Sequence, residues 1–411
     1  MQADMNQSNF FDIDLTEVVK NQNILTESLT ESLTDDPFPI RTNQSDIFIV
    51  AEDQPVLTQA PQVQPRHPLT EEAFSTLIGN LNSGDFRRRF GAQTQLQESI
   101  MNCPFDRLGR YIEILQAEID NPLSLEYKLR IEPLLDSAVA RVTTYLAQLD
   151  QRAKISLASN PQLPEIFSRL LARDEDVFVR AAIASNLNTP LHRLISLSND
   201  EHTEVRSAVV RNPNTPPQTL ANLANDGSLF VRMFVGMNPN TQLHILMSLS
   251  NDREGFVRCA AISNEMIPLE ILTGLVSHED RYIRQGVAEN PNTPLHILMS
   301  LSNDREESVR RAAVSNRRIP LEILTNLVAH VDLNIRQGVA TNPNTTLSLL
   351  TNLVDDQECL VRAAAVRHHN MTDIIILTRL SHDAEMWVRM GVLNNPNTPP
   401  YISRTIRRPA H

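Results

Sequence analysis

The sequence predicts an all-α solenoid of about ten two-helix repeats of 26 residues, preceded by an atypical helical cap and an acidic tail. Three observations carry the prediction. A Val/Ile-Arg pair recurs at 179/180, 205/206, 231/232, 257/258, 283/284, 309/310, 335/336, 361/362 and 388/389, spaced by 26 residues seven times and then by 27. Between successive pairs runs an Asn-Pro-Asn-Thr-Pro turn, complete at 212–216, 290–294 and 395–399 and partial at 160–161, 238–241 and 342–345. Residues 238–289 and 290–341 are near copies, so a two-repeat superperiod overlies the shorter one. A fixed period of this length marks a stack of units that bury apolar surface only against their neighbours. Strand alternation is absent, and two prolines per unit exclude a central strand.

Residues 1–68 read as an acidic, proline-spaced tail. They hold three basic and eleven acidic side chains, no glycine, and prolines at 55, 61, 65 and 68. Such a composition buries too little apolar surface to offset the entropy of ordering. Three apolar islands are candidate docking segments: Phe10-Phe11-Asp12-Ile13-Asp14-Leu15, residues 24–33 with Leu25, Leu29 and Leu33 four apart, and Ile47-Phe48-Ile49-Val50. Four-residue spacing stripes one helix face, and the Ile/Val run suits strand addition to a partner.

Residues 69–150 read as a helical cap. Thr70 is an N-cap with Glu71 and Glu72 in the first turn, ahead of Phe74, Leu77, Ile78 and Leu81. Ser83-Gly84 breaks the pattern, which resumes over 85–100. Pro104 opens a helix over 104–119 with Leu108, Tyr111, Ile112 and Leu115 on one stripe. After Pro122 a long pattern runs to Leu149 and contains Pro133.

Residues 151–411 form the array. In each unit the Val/Ile-Arg pair begins helix A. The third residue after Val/Ile is small (Ala182, Ala208, Ala260, Gly286, Ala312, Gly338, Ala364, Gly391), with Phe234 the exception, so neighbouring backbones can approach closely. Asn ends helix A, suited to a left-handed C-terminal position, and Pro prevents continuation. Thr then N-caps helix B with Pro at its first position. Leu295, Leu298 and Leu301 are expected to point inward.

Three columns run along the array. An acidic residue stands six before the Arg in Asp174/Arg180, Asp200/Arg206, Asp226/Arg232, Asp252/Arg258, Asp304/Arg310, Asp356/Arg362 and Asp383/Arg389, while His278 and His330 replace it in two copies. This reads as a structural ladder, the alternative being arginines displayed to phosphate. A helix-B position reads Gln218, His244, Glu270, His296, Glu322. It is either polar surface inherited by duplication or, if helix B lines the inner curve, a recognition stripe. Histidines two repeats apart cannot share one metal ion, because packed helices are about 8–10 Å apart. Phe178, Phe230, Phe256, Tyr282 and Trp387 precede the Val/Ile-Arg pair; they serve as edge packing, or Phe230, Phe256 and Tyr282 form an anchor strip for a partner.

On these residues the chain resembles the leucine-rich repeat variant family, which has this unit length, an Asn-Pro-x-Thr-Pro turn and a Val-Arg helix. The resemblance covers about residues 153–399 and implies alternating short helices, one α and one 3₁₀, in a right-handed superhelix. The iron–sulfur cluster of the family's founding type needs clustered N-terminal cysteines; this chain has only Cys103 there, so that cofactor is not expected. A looser similarity to HEAT repeats rests on the Asp and Arg columns.

Charge and composition narrow the function. Of the net charge of −12, residues 1–149 carry −11 and the remainder −1. A near-neutral array lacks the basic footprint of a nucleic-acid binder. Three scattered cysteines (Cys103, Cys259, Cys359) suggest a reducing compartment and form no metal or disulfide framework. No apolar run spans a bilayer, and the N-terminus lacks a secretory pattern, so a cytoplasmic location is expected. No phosphate loop, nucleophile elbow or zinc-helix motif occurs. The expectation is a non-catalytic protein-binding scaffold or adaptor without cofactor or metal. The alternatives are a HEAT-like bilin lyase or chromophore-handling protein, and a helical-repeat nucleic-acid-binding or DNA-repair protein. Partner identity and oligomeric state are not written in these residues.

Overall fold

The computed structural model describes residues 69–120 and 124–406, which fall into two packed units divided between Asn240 and Thr241. All regular structure among the described residues is helical.

The first unit opens with α1 (Glu71–Asn80), α2 (Phe86–Asn102), α3 (Phe105–Asp120) and α4 (Leu125–Gln148). Side chains cap the N-termini of α1, α2 and α4. Thr70 accepts from the Ala73 N–H at 3.2 Å, Asp85 from Arg87 at 2.9 Å and Ser124 from Tyr127 at 3.1 Å. Their core is aromatic and aliphatic: Phe74 stacks on Tyr111 and Phe105 on Tyr145, each at 3.8 Å between centroids, over buried Leu96, Ile100, Leu108 and Leu115. α4 runs unbroken through Pro133. The carbonyl that Pro133 deprives of a donor belongs to Leu129, an exposed position.

Helix pairs follow, each an A helix and a B helix. In the first unit these are α5 (Gln151–Ala158) and α6 (Glu165–Leu171), α7 (Val177–Ser185) and α8 (Leu191–Leu197), α9 (Thr203–Arg211) and α10 (Pro217–Leu223), then A helix α11 (Leu229–Met237). The second unit opens on B helix α12 (Leu243–Leu249) and continues with α13 (Gly255–Ser263), α14 (Leu269–Leu275), α15 (Arg281–Glu289), α16 (Leu295–Leu301), α17 (Glu307–Ser315) and α18 (Leu321–Leu327). It ends with α19 (Leu333–Thr341), α20 (Leu347–Leu353), α21 (Cys359–Arg367), α22 (Ile374–Leu380), α23 (Met386–Leu393) and α24 (Pro400–Ile406). Ten pairs in sequence make the chain an α-solenoid.

Helices of seven to nine residues are too short to persist alone, so packing holds them. Within each unit every A helix packs chiefly on the A helices before and after it, and B helices lean on A helices. The small-residue column is where backbones meet. A Cβ on Gly286 would stand 2.7 Å from the Cys259 carbonyl oxygen, and one on Gly391 2.7 Å from that of Ala363. Glycine is required there by close approach.

The local chemistry differs from the sequence expectation at five points. The Val/Ile-Arg pair occupies the third and fourth positions of helix A in most copies, because the loop residues before it already turn. Both helices are α, where one was expected to be 3₁₀. The Asn ending helix A is extended (Asn290 φ −62°, ψ 127°), since its side chain is needed elsewhere. Pro, with its fixed φ, takes the N-cap position of helix B in most units and makes no side-chain cap. The Thr hydroxyl instead donates back to a helix-A carbonyl, as Thr293 to Val287 and Thr345 to Val339 at 2.6 Å. Finally Leu295 is exposed; Ile297, Leu298 and Leu301 are buried.

Candidate protein-binding surface

What is free to bind depends on what stacking has already used. Each ladder arginine has two jobs. Arg284 Nη1 donates to the carbonyls of His278 (2.7 Å) and Glu279 (2.9 Å) in its own unit. Its Nε and Nη2 grip both oxygens of Asp304 in the next unit at 2.7 and 2.9 Å. Arg180 grips Asp200, Arg206 grips Asp226, Arg336 grips Asp356 and Arg362 grips Asp383 likewise. Bidentate forks of this kind bring directionality as well as charge. Asp174, at the head of the column, is taken by Lys154 at 2.8 Å. Arg232 donates to the Asp226 carbonyl at 2.8 Å, and Arg389 to those of Asp383 and Ala384 at 2.7 and 2.8 Å.

The two histidine substitutions leave the ladder intact. Arg258 pairs with Asp280 at 2.5 Å and Arg310 with Asp332 at 2.6 Å, two residues beyond His278 and His330. The backbone N–H groups of Asp280 and Asp332 donate to the Nδ1 atoms of His278 and His330 at 3.1 Å, the place a carboxylate oxygen takes in the other copies. Arg258 and Arg310 still hold the carbonyls of Asp252 (2.7 Å) and Asp304 (2.8 Å) in their own units. The guanidinium groups of Arg180, Arg206, Arg258, Arg284, Arg310, Arg336 and Arg362 are thus engaged with carboxylates, which opposes the phosphate alternative.

Burial alone would raise the carboxyl groups of Asp200, Asp226, Asp304, Asp356 and Asp383. The facing guanidinium and a backbone N–H two residues on outweigh it, holding each below the usual range. Asp332 is likewise held low against burial, by the backbone and side chain of Asn334 and then by Arg310.

A second ladder went unread in the sequence. Asn290 Nδ2 donates to the carbonyls of Ile262 (2.8 Å) and Asn264 (2.7 Å) in the preceding unit, and its Oδ1 accepts from the Asn292 N–H at 2.9 Å. Asn186, Asn212, Asn316, Asn342 and Asn395 bond backward in the same way. His368 stands in for this Asn, its Nε2 3.0 Å from the Asn342 carbonyl. The second Asn of the turn adds a rung, as Asn292 Nδ2 to the Glu265 carbonyl at 2.9 Å. The signal was there as an Asn at a fixed offset of six from the Arg, read only as a helix stop.

What remains outward is the helix-B column. His244, Glu270, His296 and Glu322 are exposed on α12, α14, α16 and α18, and none forms a hydrogen bond or ion pair among the described residues. The aromatic column divides. Tyr282 lies over Gly255, where a Cβ would overlap its ring, meets Phe256 edge-on at 5.1 Å, and carries Arg281 over its face at 4.8 Å. Phe256, Tyr282 and Phe178 are half-buried edge packing; Phe230 and Trp387 are exposed. Phe10, Phe11, Ile47, Phe48 and Ile49 lie outside the described residues. Among the described residues no three His, Cys, Asp or Glu side chains are grouped as metal ligands, and no helix is long and apolar enough to cross a membrane.

A unit with this turn, this Arg and this pairing of helices is recognisable by itself. The family model of the leucine rich repeat variant matches residues 203–228, which hold α9, its turn and α10. The chain is a helical-repeat protein. Among solved structures this protein is similar to yeast importin-beta (Kap95p), at 12% identity and a TM-score of 0.22, over 82% of this chain and 55% of that one. It is similar to a Kap95:Nup1 complex at 12% identity and 0.25, over 79% and 50%. It is also similar to a designed armadillo repeat protein in complex with the peptide (KR)4, at 18% and 0.12, over 71% and 96%. The helical-repeat chain thus spans about half the length of the importin-beta chains. No curated protein matches its sequence.

Proposed function

We propose that this helical-repeat protein is a protein-binding scaffold that holds a partner along the exposed helix-B column, with residues 1–68 as a second docking element. The observation that carries the reading is the division of labour just described. The buried Arg, Asp, Asn and Thr columns are occupied by stacking, whereas His244, Glu270, His296 and Glu322 repeat at one register with no partner among the described residues. A periodic row of alternating imidazole and carboxylate suits an extended or helical protein segment that offers polar groups at intervals. The near-neutral array favours such a partner over a polyanion.

The test replaces the row and leaves stacking alone. A His244→Ala, Glu270→Arg, His296→Ala, Glu322→Arg variant of the full chain is compared with the parent by affinity capture and quantitative mass spectrometry. The expected result is at least a tenfold loss of the specifically captured proteins, with unchanged circular dichroism. Capture equal to the parent would remove helix B as the binding face.

A further inference from the structure

The first turn of α2 breaks two local rules at once. Phe86 and Phe90 are 68% and 64% exposed, with ring centroids 6.1 Å apart in a stacked pair. Between them Arg87, Arg88 and Arg89 add positive charge to the helix end that is already positive, where α1 has Glu71 and Glu72. None of the three forms an ion pair among the described residues. Arg88 Nε donates to Asn80 Oδ1 at 3.0 Å and Arg89 Nη1 to the Ser83 carbonyl at 2.7 Å, both neutral acceptors. Two further large apolar side chains, Leu125 and Leu129, are exposed at the start of α4, which Arg130 ties to the Leu81 carbonyl at 2.8 Å. Asp85 caps this end through the Arg87 N–H, but three arginines without an ion pair beside exposed stacked rings point to something that binds there.

We propose that residues 10–15 of the same molecule dock on this α2 face. The segment reads Phe10-Phe11-Asp12-Ile13-Asp14-Leu15, and Glu17 follows, so two aromatic rings and three carboxylates meet two aromatic rings and three arginines. The 68 residues that precede Leu69 carry eleven acidic and three basic side chains, the complement of the arginine turn. Tethering makes the match effective. The tail joins at Leu69, whose carbonyl is held by the Tyr111 hydroxyl at 2.6 Å in the same four-helix block. The segment and the α2 face therefore belong to one covalent chain, which favours contact within a molecule over contact between molecules. The docked carboxylates offset the unfavourable charge at the helix end, and the paired rings leave water. A partner that takes the tail has to compete with this contact. The inference goes beyond the scaffold reading and holds whichever partner the array takes.

The experiment uses the full chain carrying a benzoylphenylalanine photo-crosslinker at position 11, with cross-linked peptides mapped by mass spectrometry. The expected product joins the tail to residues 85–94, with a yield that does not change on tenfold dilution and no product between isotopically distinct copies. An Arg87→Glu, Arg88→Glu, Arg89→Glu variant should lose about tenfold in yield, and adding Asp12→Lys, Asp14→Lys, Glu17→Lys should restore it. Arg87 and Arg88 are exposed and Arg89 half-buried, and circular dichroism checks that helix content is kept. Cross-links to another part of the chain, links only between copies, or full yield in the triple-glutamate variant would each overturn the proposal. None of these outcomes bears on whether the helix-B row binds a partner.

Discussion

The cap and the array solve the same stability problem in opposite ways. Helices α1 to α4 are ten to twenty-four residues long and packed on one another through Phe74, Tyr111, Phe105 and Tyr145, and α1, α2 and α4 carry side-chain caps. The array helices are seven to nine residues long, and few have a side-chain cap. They are joined by polar rungs, Arg to Asp and Asn to carbonyl, that point from each unit to its neighbour. A cap residue therefore supports a local core, while a rung residue supports the junction between two units. Damage should spread differently from the two.

The sharpest way to break the comparison is one substitution in each region. Asn290→Ala removes the fully buried amide that donates to the carbonyls of Ile262 and Asn264, of which Asn264 keeps a bond from the Ile267 N–H. A buried acceptor left unsatisfied costs about 1–3 kcal/mol. Phe74→Ala opens a cavity against Tyr111 at a cost of about 3–5 kcal/mol. Hydrogen exchange separates them. Phe74→Ala should raise exchange within residues 71–120 alone, whereas Asn290→Ala should raise it in α13 and α15 together, the units on both sides of the lost rung. Confinement of the Asn290→Ala effect to α15 would show that the units do not depend on the rung.

Acid sharpens the same contrast. Six rung carboxyl groups, those of Asp200, Asp226, Asp304, Asp332, Asp356 and Asp383, are held below their usual range in the folded chain. A depressed folded value means that stabilisation is full above the unfolded pKa of about 3.9 and is lost as pH falls through the folded values. The array should therefore lose helicity cooperatively below about pH 4, before the aromatic core around Phe74 and Tyr111 exposes its rings. Circular dichroism at 222 nm and near-ultraviolet tyrosine signals, titrated from pH 7 to 2, follow the two regions. Loss of the cap signal first would reverse the assignment.

These contrasts explain how much could be read from the chain. Period fixes architecture because every unit must present the same face to the next, so the small column of Gly286 and Gly338 and the Arg column were visible as offsets. Partner choice was not. Arg258 and Arg310 pass over positions 278 and 330, which are histidine, to Asp280 and Asp332, a choice that depends on where a loop places two carboxylates. Asn290 was hidden by having a plausible local role: an Asn followed by Pro ends a helix, and nothing in one dimension shows that its amide reaches two carbonyls a full unit earlier. Leu295 looked like core because Leu at three-residue spacing matches a helical stripe, yet on a seven-residue helix the buried stripe is Ile297, Leu298 and Leu301. The α2 surface was missed for the converse reason. Phe86 and Phe90 are four apart, as core residues are, and only the packing of α2 through Ala92, Leu96 and Ile100 shows that they lie on its other side.

The smallest expected effect concerns the thiols, one in the cap and two in the array. Cys103 is buried, with Arg141 Nη1 3.5 Å from its sulfur. Cys259 is buried in the A layer, where burial and then Glu289, whose carboxylate accepts from the thiol at 3.5 Å, push its pKa well up. Cys359 is half-buried at the start of α21. Alkylation requires an accessible thiolate, so Cys359 should react first with N-ethylmaleimide at pH 7.5, and Cys259 at least about tenfold more slowly. Cys103 and Cys259 then react only through opening of their own surroundings, so their relative rates compare the aromatic cap with the rung-linked array in one native sample. Asn290→Ala should speed Cys259 and leave Cys103 unchanged, and Phe74→Ala should do the reverse. Peptide-level mass spectrometry of a labelling time course reads all three. Equal acceleration of both buried thiols by either substitution would mean that the cap and the array open as one cooperative body, and the contrast between them would fail.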